Sequence, residues 1–353
     1  MRSLHVITSD ARRGAETFAV QLAGALQQRG EDARVVALAS SGSHTVHEVA
    51  LMGPSRRSLR TLLSLRSAAK GADVVVAHGS STLEACALGL IGLDAPFIYR
   101  TIGDPSYWVT TPHRQRVVGA MLRRASRHVV LWPGAAQQLT DRYRIAPDRV
   151  AVIPNAVDTA DFPLATVEER HSARGRYAVG AGQRCLAFVG AFTPEKNVEA
   201  AIDACAAVED SVLLLAGDGP LTISLQQYAR QLVGPRAHFL GPLPDPRSVY
   251  AAADLLLLPS RSEGMPAVLL EAGLTGCATV ATAVGAVPEV IEDGRTGYLA
   301  SPADTNRFVS RVRDALADSD SVGRRASEAF GGRFGFDETT DAWIEVFEAA
   351  RSI

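Results

Sequence analysis

Short apolar segments recur along the whole chain, and segments with helical periodicity separate them. In the first half the apolar segments are Leu4–Thr8, Ala33–Leu38, Asp73–Ala77, Pro96–Thr101, Arg127–Leu131 and Val150–Ile153. In the second half they are Cys185–Val189, Val212–Ala216, His238–Leu240, Leu255–Leu258, Ala278–Ala281 and Tyr298–Leu299. Apolar strands that alternate with helices are typical of parallel sheets covered by helices on both faces. The sequence therefore predicts an α/β fold with two doubly wound, Rossmann-like sheets.

The chain is long enough for two domains. Its 353 residues exceed the size at which a single hydrophobic core usually stops growing. Residues 159–183 are rich in Glu, Arg, Ala and Gly and contain no clear strand, so we predict that they connect the domains. The predicted boundaries are 1–170 for the first domain and 171–335 for the second.

Charge is distributed unevenly between the two halves. The net charge is only −2, which does not favour nucleic acid as a partner. Residues 1–170 carry 20 Lys and Arg against 15 Asp and Glu, whereas the remaining residues carry 16 against 23. A basic helix near His113–Arg127 suits anionic lipid or a phosphorylated acceptor, or it is a solvated helix face. The two halves either meet different partners or differ by chance.

No segment predicts a membrane span or a secretion signal. Every apolar run is shorter than the roughly 18–20 residues that cross a bilayer. The first residues lead directly into a strand without an apolar signal segment. The four cysteines, at positions 86, 185, 205 and 277, are scattered without metal-ligand spacing. We expect a cytoplasmic protein, either free or peripheral at the inner face of the membrane.

The segment Pro259–Glu271 is the strongest functional signal. It follows the strand Leu255–Leu258, passes through a polar loop that contains a glycine, and enters a helix. Pro266 suits the first position of that helix. The N–H groups at a helix start attract anions such as phosphate. Glu263 in the loop and Glu271 in the helix add carboxylates that suit sugar hydroxyl groups. A phosphorylated sugar would satisfy both parts of the segment.

Lysine is rare in this chain, which contains only Lys70 and Lys196. Lys196 follows a strand at the opening of a helix, where its ammonium group would meet phosphate oxygens or would simply be exposed. Turn glycines follow three neighbouring strands at Gly190, Gly217 and Gly241, and these strand ends should share one sheet edge. No Walker lysine motif or G-x-G-x-x-G fingerprint is present, which disfavours a P-loop NTPase and a typical NAD enzyme.

Three features mark strand ends in the first half. Gly14 follows the first strand, where it either lets a phosphate approach the backbone or forms a tight turn. His78 is predicted to lie just past the third strand, at the edge where open α/β sheets place functional groups. A later loop carries Asp104, Tyr107 and Trp108. Its carboxylate and flat rings suit a sugar, and they equally suit a loop anchored by its aromatic residues.

Together these motifs resemble those of the retaining glycosyltransferases of family 4, which have the GT-B architecture. The similarity runs nearly end to end. The motifs of the second half follow in the family's order: Val189–Gly190, Glu195–Lys196, Ala216–Pro220, Pro259–Gly264, Glu271–Gly273 and Gly285–Glu289. Gly14–Glu16 and Ile153–Asp158 resemble two motifs of the first domain. The resemblance implies two Rossmann-like domains that face each other across a cleft, with the last helix (about 336–353) returning to the first domain.

The resemblance also implies a reaction. A sugar would move from a nucleotide-diphosphate sugar, UDP- or GDP-linked, to an acceptor hydroxyl, with retained anomeric configuration and without a metal or other cofactor. The acceptor would be a glycan, a lipid-linked sugar or a small molecule, in cell-envelope glycan, glycolipid or natural-product biosynthesis. The first domain would bind the acceptor, and the second domain would bind the sugar donor.

Site roles follow from the resemblance where residues match. Glu263 would bind the donor sugar, Glu271 the ribose hydroxyls, and Lys196 the departing diphosphate. The other predicted donor-binding positions are Gly14, Gly190, Gly217, Gly264 and Met265, with Pro242 and Leu243 near the base.

One departure from the family concerns a phosphate-binding cation. Ala191 stands where the family commonly has an arginine. Arg12, Arg13 and Arg261 are candidates to replace it.

A second departure concerns a histidine that the family often has after the strand ending near Thr101. This chain has Ile102, Gly103 and Asp104 instead, so Asp104 and His78 are candidate catalytic residues that would contact the sugar. Both departures leave an alternative open, in which the chain is a donor-binding subunit with weak or no catalysis. A nucleotide-sugar epimerase or hydrolase is a further alternative.

Overall fold

A computed structural model describes residues 1–42, 46–103, 109, 111–302 and 304–352. The chain divides into two compact units. The first contains Met1–Ala156 together with Phe336–Ile353, and the second contains Val157–Gly335. Each unit has its own parallel sheet and its own core.

The first unit begins with a parallel α/β pattern. Its strands are β1 (Arg2–Ser9), β2 (Asp32–Ala39), β3 (Ala50–Leu51), β4 (Val74–His78), β5 (Phe97–Arg100), β6 (Arg127–Val130) and β7 (Val150–Val152). Its helices are α1 (Gly14–Gln28), α2 (Leu59–Ala69), α3 (Ser80–Gly89), α4 (Pro112–Arg124) and α5 (Pro133–Tyr143). The described strands are ordered β3-β2-β1-β4-β5-β6-β7, so the winding direction reverses between β1 and β4. A sheet that reverses there opens a crevice at the carboxyl ends of those two strands.

The second unit repeats this design. Its helices are α6 (Val167–Arg176), α7 (Val198–Ala207), α8 (Thr222–Leu232), α9 (Arg247–Ala252), α10 (Ala267–Thr275), α11 (Val287–Val290), α12 (Thr305–Ala315) and α13 (Ser319–Gly331). Its strands are β8 (Arg184–Val189), β9 (Ser211–Ala216), β10 (Ala237–Gly241), β11 (Leu255–Leu258), β12 (Ala278–Thr282) and β13 (Tyr298–Ala300). The order is β10-β9-β8-β11-β12-β13, and the reversal falls between β8 and β11.

The last helix, α14 (Phe336–Arg351), belongs to the first unit. Trp343 and Phe347 are fully buried and join Phe18 and Leu22 of α1 in one core cluster. Arg29 at the end of α1 also forms ion pairs with two aspartates of α14. The helix therefore closes one face of the first sheet, although more than 180 residues of chain separate it from β7.

The predicted fold class is confirmed, because both units are parallel α/β sheets. The twelve predicted strands correspond to observed strands with ends that differ by at most two residues. The short strand β3 was missed because two residues carry no readable alternation. Among the described residues, no helix is long and apolar enough to cross a membrane.

The unit boundary differs from the predicted position at residue 170, which falls inside α6. Arg170 and Arg174 of this helix hold the buried carboxylate of Asp254, which also accepts a 2.6 Å hydrogen bond from the Cys185 amide. These contacts fix α6 to the second sheet. In the sequence, such a polar helix looks like a linker between domains, because the residues that it contacts lie far along the chain.

Candidate functional site

The site in the second unit is centred on the reversal between β8 and β11. The loop after β8 carries Lys196 in a short 3-10 turn, and the loop after β11 carries Glu263. Because β8 and β11 are parallel neighbours, their carboxyl ends meet at one sheet edge. Lys196 Nζ lies 2.6 Å from Glu263 Oε1. The lysine and the loop glutamate that the sequence assigns to the donor site therefore form one ion pair.

Glu263 is a buried carboxylate, with only 8% of the residue exposed. Its Oε1 also accepts a 2.6 Å hydrogen bond from the Ser260 hydroxyl. Both bonds go to the same oxygen, so among the described residues Oε2 keeps its acceptor positions for another group. A buried charge with one paired oxygen and one open oxygen is suited to accepting hydroxyl groups of a ligand.

Arg261 joins the two loops. Its amide donates a 2.7 Å hydrogen bond to the Glu195 carbonyl, and its Nη2 donates at 3.0 Å to Asn197 Oδ1. Asn197 in turn donates from Nδ2 to the Pro259 carbonyl at 3.2 Å. The Arg261 guanidinium therefore helps to hold the two loops together. That Arg261 takes the place of the phosphate-binding arginine common in the family stays a prediction. Ser260 and Asn197 were not singled out in the sequence, because short polar residues in loops carry no distinctive pattern.

Two glycines allow backbone segments to approach closely here. Gly285 has φ +56°, and a Cβ at this position would lie 2.1 Å from the Glu263 carbonyl oxygen. Gly217 has φ +146°, and a Cβ would lie 1.8 Å from the Gly190 carbonyl oxygen. Larger residues would push these loops apart. Gly190 and Gly217 thus bring the ends of β8 and β9 together, while Gly285 supports the loop of Glu263.

Helix α10 starts one residue later than predicted. Pro266 is extended, with ψ 123°, and precedes the first helical residue, Ala267. The Leu269 amide donates to the Pro266 carbonyl at 3.2 Å, while the amides of Ala267 and Val268 at the helix start lack intrahelical acceptors, so the turn remains suited to an anion. Gly264 is fixed through its carbonyl, which accepts a 2.8 Å hydrogen bond from the Ala286 amide. Met265 is buried beside it.

Glu271 lies on the second turn of α10 and has a strongly shifted pKa. Burial raises this pKa most, a hydrogen bond from Tyr250 opposes the rise and the charge of Asp245 adds to it, so that the pKa is about 7 instead of 4.5. The Tyr250 hydroxyl donates to Glu271 Oε2 at 2.6 Å. The carboxyl group is therefore close to its titration point at neutral pH. Pro242 and Leu243 follow β10 at the same sheet edge, with Pro242 exposed and Leu243 half-buried.

In the first unit, Gly14 is the first residue of α1, and a Cβ added there would meet no atom of the described residues within 4 Å, apart from its own chain neighbours and its own helix. The placement of His78 was wrong in one respect. It is the last residue of β4, and its ring is buried among His5, Phe18 and Trp343. Its Nε2 lies 3.1 Å from His5 Nδ1, and burial lowers the pKa of His78 well below its usual value. The ring is neutral and belongs to the core beneath α14.

The predicted sugar-binding loop residues Asp104, Tyr107 and Trp108 lie outside the described residues. Nearby, the end of β5 carries a buried arginine that was not predicted from the sequence. Arg100 stacks over Phe18, with its Cζ 3.8 Å from the ring centroid, and donates from Nη2 to Asn155. Burial lowers the pKa of Arg100 to about 9. Among the described residues, no group of three or more His, Cys, Asp or Glu side chains could hold a metal ion.

Known proteins resemble both units. A family model described as Glycosyltransferase Family 4 matches residues 12–161, and one described as Glycosyl transferases group 1 matches residues 183–318. D-inositol 3-phosphate glycosyltransferase of Mycolicibacterium vanbaalenii is 32% identical over 247 residues, which are 65% of this chain and 53% of that protein. N-acetyl-alpha-D-glucosaminyl L-malate synthase of Bacillus anthracis is 34% identical over 160 residues, 43% of this chain and 42% of that protein. The chain spans about half the length of the curated relatives it matches.

The fold is also that of known structures. The crystal structure of Anabaena HepE in complex with UDP-glucose matches with a TM-score of 0.86 and 20% sequence identity, over 100% of both chains. This likeness shows a shared fold, and the two family models show shared sequence motifs in each unit. The chain therefore belongs to the group 1, family 4 glycosyltransferases, and its fold is the GT-B fold predicted from the sequence.

Proposed function

We propose that this protein transfers a sugar from a nucleotide-diphosphate sugar to an acceptor hydroxyl group. The observation that carries the proposal is the Lys196–Glu263 pair at the strand reversal of the second unit. The ammonium group and the start of α10 suit a diphosphate, while the open carboxylate oxygen of Glu263 suits sugar hydroxyls. A nucleotide sugar presents both kinds of group within one molecule.

In the proposed reaction, the bond between the anomeric carbon and the diphosphate breaks, and the acceptor oxygen forms a new bond to that carbon. The departing diphosphate gains negative charge, which Lys196 and the first turn of α10 would stabilise. Such preorganised groups contribute several kcal/mol in a site that excludes water. We propose attack on the face from which the diphosphate leaves, so that configuration is retained and the hydroxyl proton leaves with the diphosphate. Because Lys196 supplies a fixed positive charge, we propose that transfer needs no metal ion.

Similar proteins guide the choice of substrates. HepE was crystallised with UDP-glucose, so we propose a UDP-linked donor as the first to test, with GDP-linked sugars as the alternative. The acceptor class stays open among glycans, lipid-linked sugars and small molecules. The two relatives are named for D-inositol 3-phosphate and L-malate, so hydroxylated anions of that kind are the first acceptors to test.

The decisive test measures nucleotide diphosphate released by the purified protein from UDP-glucose, GDP-mannose and ADP-glucose. We expect release from one donor, and we expect Lys196→Ala to reduce the rate by about a hundredfold, as loss of one charge-stabilising group does in other enzymes. Glu263→Gln should reduce it similarly by removing the charge that accepts sugar hydroxyls. Excess EDTA should leave release unchanged, and NMR of the product should show the donor's anomeric configuration.

The chain offers a matched control for the lysine. Lys70→Ala removes the other lysine, which is exposed at the end of α2, and should leave the release rate unchanged. If Lys196→Ala and Glu263→Gln released diphosphate at the original rate, the site assignment would be wrong. Tight UDP binding without release from any donor, with every acceptor tested, would instead support a donor-binding subunit.

A further inference from the structure

Helices α2, α3 and α4 enclose a groove of about 580 Å³ on the first unit. Its walls are one face of α3 and one face of α4, closed by Leu62 of α2 and the segment 55–57 before that helix. On α4 the lining residues are Arg114, Val117, Val118 and Met121, which have the three- and four-residue spacing of one helix face. The groove shares no residue with the site in the second unit.

One end of the groove is cationic. Ser80 and Ser81 are the first two residues of α3, and Arg114 is the third residue of α4, so two helix starts meet there. Arg56 reaches across the groove and donates from Nη1 to the Ser81 hydroxyl at 3.2 Å. Arg57 pairs with Glu84 at 2.8 Å. Arginine side chains beside helix N-termini form a favourable environment for a phosphate group.

The other end of the groove is apolar. It is lined by Leu88 of α3 and by Val117 and Met121 of α4. Leu88 and Val117 are 49% and 39% exposed, so this part of the apolar wall is open to solvent. Arg114 and Met121 are seven residues apart, so the groove lining changes from cationic to apolar over about 10 Å along α4.

The rim of the groove has the same character. The segments 55–70, 80–92 and 112–124 together contain nine Lys or Arg and one acidic residue, Glu84. Leu59, Leu63 and Ile91 on these segments are more than half exposed. Nine basic residues against one acidic residue, together with the apolar part of the lining, complement a surface that carries many equivalent negative charges. A peptide ligand would need its few charges matched one by one, and a free phosphate would leave the apolar half unused.

We propose that this groove and its rim bind anionic phospholipid, with the lipid phosphate at Arg56 and Arg114 and an acyl chain along Leu88, Val117 and Met121. The proposal concerns attachment of the first unit to a lipid surface and does not depend on the reaction at Lys196 and Glu263. Electrostatic attraction and apolar burial act together here, which is the combination that gives stable interfacial binding.

The first test is flotation of the full chain with vesicles. We expect the protein to float with vesicles of phosphatidylcholine and phosphatidylglycerol, and to stay in solution with phosphatidylcholine alone. Salt at about 1 M should release it, because the Debye length then falls to about 3 Å. Inorganic phosphate at tens of millimolar should not compete. If the protein did not float with anionic vesicles, the proposal would be wrong and the groove would bind a soluble partner instead. If phosphate fully prevented flotation, the groove would bind the free anion and not the lipid.

The second test locates the contact. R56E/V117D should weaken vesicle binding by about tenfold or more, since one reversed arginine near the surface alone changes it several-fold. R324E/I223D is the matched control, because Arg324 and Ile223 are also exposed but lie in the second unit. Circular dichroism should show that both variants are folded. Equal vesicle binding by the two double variants would overturn the proposal.

A fluorescent label can report on the apolar end directly. The four native cysteines are buried, so Leu88→Cys can be labelled selectively with an environment-sensitive dye. Its emission should shift to the blue when anionic vesicles are added, whereas the same label at Ile223→Cys should not respond. A silent label at position 88 during flotation would show that the lipid contacts another surface and would overturn the assignment to this groove.

Discussion

At the scale of single residues, the Lys196–Glu263 pair shows how burial and function depend on each other. A carboxylate that is 8% exposed needs a positive partner, since a buried unpaired charge is strongly destabilising. Lys196 supplies that partner and remains more exposed, at 23% of its side chain. Its three N–H groups can bind Glu263 and a ligand oxygen at the same time. The same contact thus stabilises the loop and, in the proposed function, would hold a cation ready for a diphosphate.

Glu271 leads to a prediction on pH dependence. Its pKa is raised from 4.5 to about 7, so the folded protein holds this proton more tightly than the unfolded chain does. The free energy of unfolding should therefore fall as pH rises from 4.5 to 7. Glu271→Gln removes the buried charge, so the variant should be more stable than the natural protein by about 2 kcal/mol above pH 7. This free energy is smaller than the full pKa shift would give, because solvent screens part of the charge.

Urea unfolding at pH 4.5 and pH 8 measures this difference. The two proteins should have equal stability at the lower pH, because Glu271 is then protonated in the folded protein. Glu328→Gln is a suitable control, since Glu328 is an exposed carboxylate of α13, and it should have no comparable effect. A Glu271→Gln advantage that is equal at both pH values would contradict the raised pKa.

At the scale of elements, the loops that follow β8 and β11 act as one structure. Arg261 and Asn197 connect them by hydrogen bonds, and Gly285 lets the next loop pack directly on the Glu263 carbonyl. The strands hold these loops at one edge, so the positions of Lys196 and Glu263 depend on backbone contacts as much as on their own side chains. A change in a supporting glycine should therefore act on the site at a distance.

Gly285→Ala tests this dependence. The new Cβ would lie 2.1 Å from the Glu263 carbonyl oxygen, so the loop must move. We expect a loss of unfolding free energy of about 2–4 kcal/mol, from the combined steric overlap and left-handed φ. UDP binding, measured by calorimetry, should weaken more than tenfold because Glu263 shifts. These effects should be absent if the backbone approach is unimportant.

Gly234→Ala is the matched control for backbone strain. Gly234 has φ +58°, close to the +56° of Gly285, but a Cβ added there would meet no atom of the described residues within 4 Å, apart from its own chain neighbours. The control should lose about 1 kcal/mol from the left-handed conformation alone and should bind UDP normally. The difference between the two variants isolates the contact with Glu263.

At the scale of the whole molecule, the chain builds two units, and one of them is completed only by the last helix. Trp343 and Phe347 of α14 fill the core of the first unit against Phe18 and Leu22 of α1. The first unit is therefore assembled from both ends of the chain, whereas residues 157–335 form the second unit alone.

Phe347→Ala should therefore destabilise the first unit selectively. Phe347 is fully buried, and loss of such a side chain costs about 3–5 kcal/mol. Hydrogen exchange should show faster exchange of amides in β1, β4 and α1, with the sheet of the second unit unchanged. Glu345→Ala on the exposed face of the same helix should change stability by less than about 0.5 kcal/mol. Equal acceleration in both units would contradict this division.

Much of the fold was predictable because its signals are local. Each strand is a short apolar run that can be recognised from about six consecutive residues. The alternation of these strands with helices therefore predicted two parallel sheets. The positions of Lys196 and Glu263 past strand ends were also predictable, since each residue follows an apolar strand and precedes a helix by a few residues. The boundary near residue 170 was misplaced because α6 is polar, and its buried partner Asp254 lies 84 residues away.

The sequence by itself determined the two parallel α/β sheets, the strand-loop-helix segment of Glu263 and the rare lysine, because these depend on neighbours along the chain. Only the tertiary structure decided that Lys196 and Glu263, 67 residues apart, form an ion pair. It also decided that His78 is buried beneath α14 and that the pKa of Glu271 is raised. The physical reason is that burial and charge pairing depend on which distant segments surround a side chain, and the order of strands in each sheet sets those neighbours.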